Sequence, residues 1–234
     1  ARSDVMLIPD FPAPYTISAS NLAIPKRYRR KVKLIGPVVA QELSQRSSGS
    51  ALNSSLFFAC RKPIIYAAVS GPKTERIVLA NLLYDALSRF PGDYEIVVSR
   101  GEPNGRSDPV RKGNLTVYDW VEDQYDLLRA SSLVISRAGH GTIMKAIMLG
   151  KPMILVPIPD HTEQFGNAKR AYQLGLGEIV PQWEVTVERL LDATKRLLHS
   201  PPAGVGRLNK HTPFTQAIPI AAHEIVSLAS AKEA

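Results

Sequence analysis

The sequence is poor in cysteine and in long apolar runs, and each absence excludes a class of protein. Cys60 is the only cysteine among the 234 residues, so an internal disulfide is excluded and a reducing, cytoplasmic location is expected. We expect Cys60 to be a small core residue rather than a nucleophile. No apolar run approaches the roughly 18 residues of a membrane-spanning helix, and no signal peptide is recognised.

Acidic residues are scarce in the first 62 residues, which carry ten Lys or Arg and only three Asp or Glu. Six of these cations lie in Pro25–Lys33, whereas the remaining 172 residues contribute only +1 to the total charge of +8. A nucleic-acid-binding domain would spread its positive charge over the folded core, so no nucleic-acid partner is predicted. The cluster at 26–33 either contacts an anionic membrane surface or is a solvated surface turn.

The chain is 44% hydrophobic and 21% charged, which is typical of a globular protein with a substantial core. From residue 63 onward, short apolar runs alternate with stripes of helical period. Strands are predicted at Ile64–Val69, Tyr94–Val98, Leu115–Tyr118, Leu133–Ile135, Met153–Val156 and Glu178–Val180. Helices are predicted at Thr74–Phe90, Asp123–Ala130, Thr142–Leu149, Phe165–Leu174, Val185–Leu198 and Ile218–Ala231.

This alternation predicts an α/β fold, a Rossmann-like doubly wound parallel sheet with helices on both faces. The alternation covers about residues 60–200, and the predicted domain covers residues 39–200, including a polar linker or mobile loop at Gln41–Asn53. Residues 201–216 are expected to be a Pro/Gly-rich connection before the last helix, so that 201–234 form the third part of the chain. Residues 1–38 hold the short strand Val5–Ile8 and the extended piece Lys31–Ile35. Such a segment cannot form a core, and we expect it to pair with structure absent from this chain.

Ligands of a parallel α/β sheet bind beyond the carboxyl ends of its strands, and four such ends are informative. Ser70-Gly71 follows the first strand as a glycine turn, which is suited to a phosphate or is a plain connection. Trp120-Val121 follows the third strand, where an aromatic ring and free backbone could hold a planar base, although Trp120 is equally explicable as a core anchor.

The other two ends flank the most informative segment. After Leu133–Ile135, Arg137 offers a fixed cation, Gly139 and Gly141 leave the main chain accessible, and Thr142 is the predicted N-cap of a helix whose amides could bind an anion. His140 could donate a hydrogen bond. After Met153–Val156 comes a loop in which Glu163 and Gln164 could grip sugar hydroxyls or simply be solvated. With Thr142 as N-cap, Lys145 is at the third helical position, where it opposes the helix dipole unless an anion lies nearby.

Taken together, SRAGHGT…GKPMILVPIP…HTEQ…NA resembles the carboxy-terminal, donor-binding half of the GT-B glycosyltransferases of family 28. This family includes the peptidoglycan N-acetylglucosaminyltransferase and archaeal relatives. The resemblance covers about residues 60–200. It implies transfer of a hexose from a nucleotide diphosphate donor, usually UDP-linked, with inversion and without a metal or other cofactor. Residues 1–38 then resemble the end of the acceptor-side domain and the interdomain linker, and the last helix resembles the one that crosses back.

The family also implies roles for individual residues. Val121 would meet the base through its backbone, with Trp120 beside it, and Glu163 and Gln164 would hold the donor sugar. The residues implied at the diphosphate are Ser70, Gly71, Arg137, Gly139, His140, Gly141 and Thr142.

Two departures from the family pattern bear on function. Lys145 occupies a position where the family usually has Glu, which grips the ribose hydroxyls. Most of the acceptor half is missing, and with it the expected general base, so a separate amino-terminal-half subunit is one possibility. The acceptor is expected to be lipid-linked or a small molecule, and the protein peripheral at a membrane. The alternatives are a degenerate, non-catalytic nucleotide-sugar-binding or scaffold domain, and a nucleotide-sugar 2-epimerase.

Overall fold

The computed structural model describes residues 3–38, 61–106, 108–121, 124–211 and 216–233. The predicted linker at 41–53, Cys60 and the predicted helix start at Asp123 lie outside these ranges. Among the described helices, none combines the length and apolarity needed to span a membrane.

A seven-stranded sheet forms the centre of the molecule, with strands in the order β5-β6-β4-β3-β7-β8-β9. Its strands in chain order are β3 (Ile64–Ala68), β4 (Glu95–Ser99), β5 (Val110–Lys112), β6 (Leu115–Tyr118), β7 (Leu133–Ser136), β8 (Met153–Leu155) and β9 (Gly177–Ile179). All neighbours are parallel except β5 and β6. After β3 the chain adds β4 on one side of that strand, and it later adds β7 on the other side of the same strand. The β3–β7 junction is therefore the topological switch point, where such sheets bind ligands.

Helices cover both faces of the sheet, as predicted. They are α1 (Lys73–Leu87), α2 (Gln124–Ala130), α3 (His140–Met148), α4 (Thr162–Gln173), α5 (Val187–His199), α6 (Ala203–His211) and α7 (Ala217–Glu233). One core cluster joins the sheet to α1 and α5, and the other joins it to α2, α3, α4 and α6. Strands β3 and β4 are buried at every position, since a parallel sheet covered on both faces has no polar side.

Three local predictions were wrong. Helix α3 begins at His140 with Gly139 as N-cap, because the Thr142 amide already bonds to the Gly139 carbonyl at 3.1 Å. Strand β5 was missed because its three residues are exposed and carry no apolar alternation. Helix α6 lies within the predicted connection, and its glycines disfavour helix. It forms because Val205 and Leu208 are buried in the core.

The amino-terminal segment packs on this domain. Strand β1 (Met6–Ile8) pairs in parallel with β2 (Val32–Leu34), which follows a 3-10 helix at Lys26–Lys31. The two strands pair with each other, and a further partner outside the chain stays a prediction. The proline-rich loop after β1 places Phe11 and Ile17, both fully buried, in the core cluster of α3 and α4. Helix α7 returns to this segment, where Glu224 forms an ion pair with Lys33 of β2.

Candidate functional site

A cavity of about 360 Å³ opens at the carboxyl ends of β3, β4, β6 and β7. It therefore lies at the switch point of the sheet, where the topology predicts a ligand. Eight of the residues singled out from the sequence line it, namely Ser70, Gly71, Trp120, Val121, Gly139, Gly141, Thr142 and Lys145.

One end of this cavity is formed by the start of α3. A Cβ atom added at Gly139 or Gly141 would meet nothing within 4 Å, so open space lies in front of the main chain here. The first amides of a helix have no intrahelical acceptor, and they carry the positive end of its dipole. The preceding Ala138 has a φ of 58°, a left-handed conformation that is strained for a residue with a side chain. Asn167, fully buried in α4, donates to the Ala138 carbonyl at 3.3 Å and holds this turn.

Two cationic side chains reach the same cavity. Arg76 of α1 lines it and donates from Nη1 to the Gly101 carbonyl, while its buried Nε has no hydrogen-bond partner among the described residues. The ammonium of Lys145 lies 5.0 Å from the centre of the Tyr125 ring. Because α3 begins at His140, Lys145 is the sixth helical residue, so the argument from the third helical position does not apply. Arg76 was not foreseen from the sequence.

The floor of the cavity is polar at Tyr66 and Ser99, which line it from β3 and β4. Tyr66 is fully buried, and its hydroxyl has no well-formed hydrogen bond to a described residue. Burial raises the pKa of the Tyr66 phenol, and the Ser99 hydroxyl opposes that effect only in part. Trp120 is 40% exposed at the rim, whereas Val121 beside it is buried. This exposure contradicts the interpretation of Trp120 as a core anchor, and its stacking on a planar base stays a prediction.

The structure does not bring Arg137 to this cavity. Its side chain is fully buried and donates to the Glu75 carbonyl at 2.5 Å and to the Gln182 side chain. Burial lowers the pKa of Arg137 to about 10, with the Glu75 carboxylate acting against that effect. The guanidinium therefore joins β7 to α1 and to the 3-10 helix at Gln182–Glu184. Its expected place at the diphosphate is corrected accordingly, because spacing alone could not tell which way the side chain turns.

His140 and Glu163 face a second cavity, of about 530 Å³, between the amino-terminal segment and the starts of α3 and α4. His140 Nε2 lies 3.4 Å from Oδ2 of Asp10, which is fully buried. The Asp10 carboxylate accepts hydrogen bonds from the amides of Phe11, Ile17 and Ser18 and from the Ser18 hydroxyl. Burial raises the pKa of Asp10, but the nearby His140 side chain and the hydrogen bonds from Ser18 outweigh that effect, so the pKa is lowered. Asp10 was not singled out from the sequence.

Gln164 lines neither cavity. It is buried, and its Oε1 accepts from the Ile158 amide at 2.9 Å, so it fixes the loop that precedes α4. Glu163, next to it, is exposed. The two residues expected to grip one sugar together are thus separated, and Glu163 alone borders open space. Among the described residues, no group of three or more His, Cys, Asp or Glu side chains is arranged to hold a metal ion.

Comparison with known families gives one match over most of the chain. The model of the glycosyltransferase family 28 C-terminal domain matches residues 77–219. An uncharacterised glycosyltransferase of Methanosarcina acetivorans is 25% identical over 197 residues, which cover 84% of this chain and 49% of the relative. The UDP-N-acetylglucosamine–N-acetylmuramyl-(pentapeptide) pyrophosphoryl-undecaprenol N-acetylglucosamine transferase of Thermosipho africanus is 31% identical over 131 residues, 55% of this chain and 38% of that enzyme. The chain thus spans about half the length of its matched relative from Methanosarcina.

Solved structures share the fold. The calicheamicin glycosyltransferase CalG4 superposes with a TM-score of 0.66 at 16% identity, covering 100% of this chain and 55% of CalG4. The spinosyn rhamnosyltransferase SpnG gives a TM-score of 0.58 at 21% identity, with 76% of this chain and 49% of SpnG covered. At these identities the comparison shows the architecture alone.

Proposed function

The chain belongs to the glycosyltransferase family 28 C-terminal domains, and from this membership we propose that it binds the nucleotide diphosphate of a sugar donor and takes part in transfer of that sugar to an acceptor hydroxyl. The proposed donor is UDP-linked, and the diphosphate occupies the cavity at the switch point. The nucleoside extends toward Trp120 and Val121, and the sugar extends toward Glu163.

One observation carries this proposal: three sources of positive charge converge on one cavity. They are the amides at the start of α3, the Arg76 guanidinium and the Lys145 ammonium. A diphosphate needs such an environment, because its charge in a partly enclosed site must be balanced by amides and cations. The open space in front of Gly139 and Gly141 gives phosphoryl oxygens access to the main chain.

This arrangement supports a specific mechanism. As an acceptor oxygen attacks the anomeric carbon in line and with inversion, the bond to the diphosphate breaks and negative charge grows on the leaving oxygen. Fixed amides and Arg76 stabilise that charge without reorganising. Because these groups supply the compensation, we propose that transfer is metal-independent. Product configuration determined by NMR, and turnover measured with and without a chelator, test these two points.

Titration calorimetry with UDP tests the binding site. We expect Arg76→Ala to weaken UDP binding by about tenfold, the effect of losing one charge-assisted contact. Arg111→Ala is the matched control, because Arg111 lies on the edge strand β5 and pairs with Glu95, away from this cavity. Equal UDP affinity in wild type and in the Arg76 variant would contradict the proposed binding of the diphosphate in this cavity.

The two alternative functions have distinct signatures. A scaffold domain would show no thermal stabilisation by any nucleotide diphosphate. A 2-epimerase would convert UDP-sugars with no acceptor present. The transferase proposal requires nucleotide binding together with acceptor-dependent turnover.

The matched part of the chain spans about half the length of each of the first two relatives. We propose that an acceptor-binding half, either in the same polypeptide or as a separate subunit, packs against β1, β2 and α7 and supplies the general base. Helix α7 turns Ile218, Ile225 and Val226 to solvent, at 41%, 63% and 64% exposure, and this apolar surface suits such a partner. Mixing the chain with a separately produced amino-terminal half from the same protein, followed by sedimentation analysis, tests their association.

We propose that the basic segment contacts an anionic membrane surface. Residues Lys26–Lys31 form an exposed 3-10 helix with no buried residue, and Tyr28 is 42% exposed beside Arg27. Four or more clustered cations favour anionic lipid. We therefore propose a peripheral membrane location and a lipid-linked acceptor.

A further inference from the structure

Lys145 creates a chemical problem for a cavity that holds a nucleotide. Its side chain lines the cavity. An ammonium group only donates hydrogen bonds, so residue 145 cannot accept from a pentose hydroxyl. If the proposed function holds, and this inference rests on it, another group must supply an acceptor.

Tyr66 has the properties that this role requires. Its hydroxyl is buried and has no well-formed hydrogen bond within the described parts of the chain, although the side chain lines the cavity. A buried hydroxyl without a partner costs about 1–3 kcal/mol, so such groups are rare unless a ligand completes them. Ala68 lies one pleat further along the same face of β3 and also lines the cavity.

The strand order places this hydroxyl between the two ends of the proposed nucleotide. Trp120 and Val121 follow β6, and the start of α3 follows β7, while β4 and β3 lie between them. Ser99 ends β4, and Tyr66 lies within β3. The part of a nucleoside diphosphate between its base and its phosphates is the pentose.

We propose that the Tyr66 hydroxyl, with Ser99 beside it, binds the pentose hydroxyls of the donor nucleotide. A neutral phenol both donates and accepts, which suits a hydroxyl partner. Burial favours the neutral form, since it raises the pKa of Tyr66. Lys145 is then left to act on the phosphates as a cation. The cavity thus distinguishes a ribonucleotide from a deoxyribonucleotide through Tyr66.

Tyr66→Phe removes one oxygen and keeps the ring, so it tests the hydroxyl directly. Binding of UDP and of its 2′-deoxy and 3′-deoxy analogues is measured by calorimetry in wild type and variant. We expect wild type to prefer UDP over at least one analogue by about tenfold, the effect of one hydrogen bond. In Tyr66→Phe that preference falls to near unity, because UDP binds more weakly and the analogue does not. Tyr118→Phe is the control, since Tyr118 is buried in the same core cluster but does not line the cavity.

Thermal unfolding without ligand separates this role from a structural one. A ligand-binding hydroxyl predicts that Tyr66→Phe is as stable as wild type or more stable, because a buried polar group without a partner is removed. A hydroxyl that serves only a structural hydrogen bond to Ser99 predicts a less stable variant with unchanged preference between the nucleotides. That second outcome overturns the inference.

Two further outcomes are decisive. If wild type binds UDP but does not distinguish it from either deoxy analogue, the pentose assignment fails and the proposed function stands. If wild type binds no nucleoside diphosphate, both fail. Ser99→Ala provides a second variant whose preference for UDP should also decrease.

Discussion

Replacement of the buried Asp10 should have a large effect on stability. Its side chain is fully buried, and Oδ2 accepts from the Ser18 amide at 2.8 Å and the Ser18 hydroxyl at 2.5 Å, with His140 Nε2 at 3.4 Å. In Asp10→Asn, Oδ1 can still accept from the amides of Phe11 and Ile17. The side-chain NH₂ group that replaces Oδ2 cannot accept, and it faces the amide and hydroxyl donors of Ser18. Two charge-assisted hydrogen bonds are lost, at about 1.5–3 kcal/mol each.

We therefore expect Asp10→Asn to lower the free energy of unfolding by about 4 kcal/mol at pH 7. For a chain of this length that corresponds to a melting temperature lower by about 10 °C. The assay is urea unfolding followed by circular dichroism, with thermal melts as a second measurement. Asp93→Asn is the control, because Asp93 is exposed and a surface substitution should change stability by less than about 0.5 kcal/mol.

The pH dependence of this difference has a definite sign. The pKa of Asp10 in the folded protein lies below its ordinary 3.8, so the unfolded chain takes up the proton more readily. The stabilisation is complete above that ordinary pKa and is lost as the pH falls through the lower, folded value. The gap between wild type and Asp10→Asn should thus stay constant from pH 7 down to about 5 and shrink in stronger acid. Equal stability at pH 7, or a gap that does not change in acid, would refute this reasoning.

Two further predictions follow from other parts of the structure. Arg137→Ala should lower the free energy of unfolding by about 2–4 kcal/mol, since a buried side chain and its partners are lost, and should leave UDP affinity unchanged. Weakened UDP binding in an equally stable variant would contradict this prediction and support a contact between Arg137 and the diphosphate. Replacing Arg27, Arg29 and Arg30 with Gln should weaken sedimentation with anionic vesicles by about 1 kcal/mol per cation, with neutral vesicles as the control. Equal binding by wild type and the triple variant would exclude this segment as the membrane contact.

The fold was predictable because its signals are local and repeated. Buried strands such as Ile64–Ala68 appear in the sequence as apolar runs, and the amphipathic stripe of α5 appears as a helical period. The predictions failed where burial, rather than local pattern, determines structure. Helix α6 depends on Val205 and Leu208 reaching the core, and β5 depends on pairing with β6. Neither contact is indicated by the sequence pattern of the short segment that makes it.

The sequence predicted which turns form the site, but it did not predict the direction in which individual side chains point. Ser70, Gly139 and Gly141 were found because a glycine-containing turn after a strand is visible in the sequence, and the structure brings these turns to one cavity. Arg137 was predicted to lie at the diphosphate and Arg76 was not foreseen, yet only Arg76 lines the cavity. Both follow strands of the sheet, yet one side chain is buried between α1 and the 3-10 helix at Gln182–Glu184 while the other reaches the cavity.

The sequence by itself determined the doubly wound sheet, the helix start facing its carboxyl edge and the cationic residue 145. These depend on periodicity, turn chemistry and residue identity, which are properties of short stretches of chain. Only the tertiary structure decided that Tyr66 lies at the floor of the cavity, that Arg76 lines it, and that Asp10 holds His140 from 130 residues away in the chain. Each of these depends on how strand order and packing orient a side chain across the fold, and no local pattern encodes that direction.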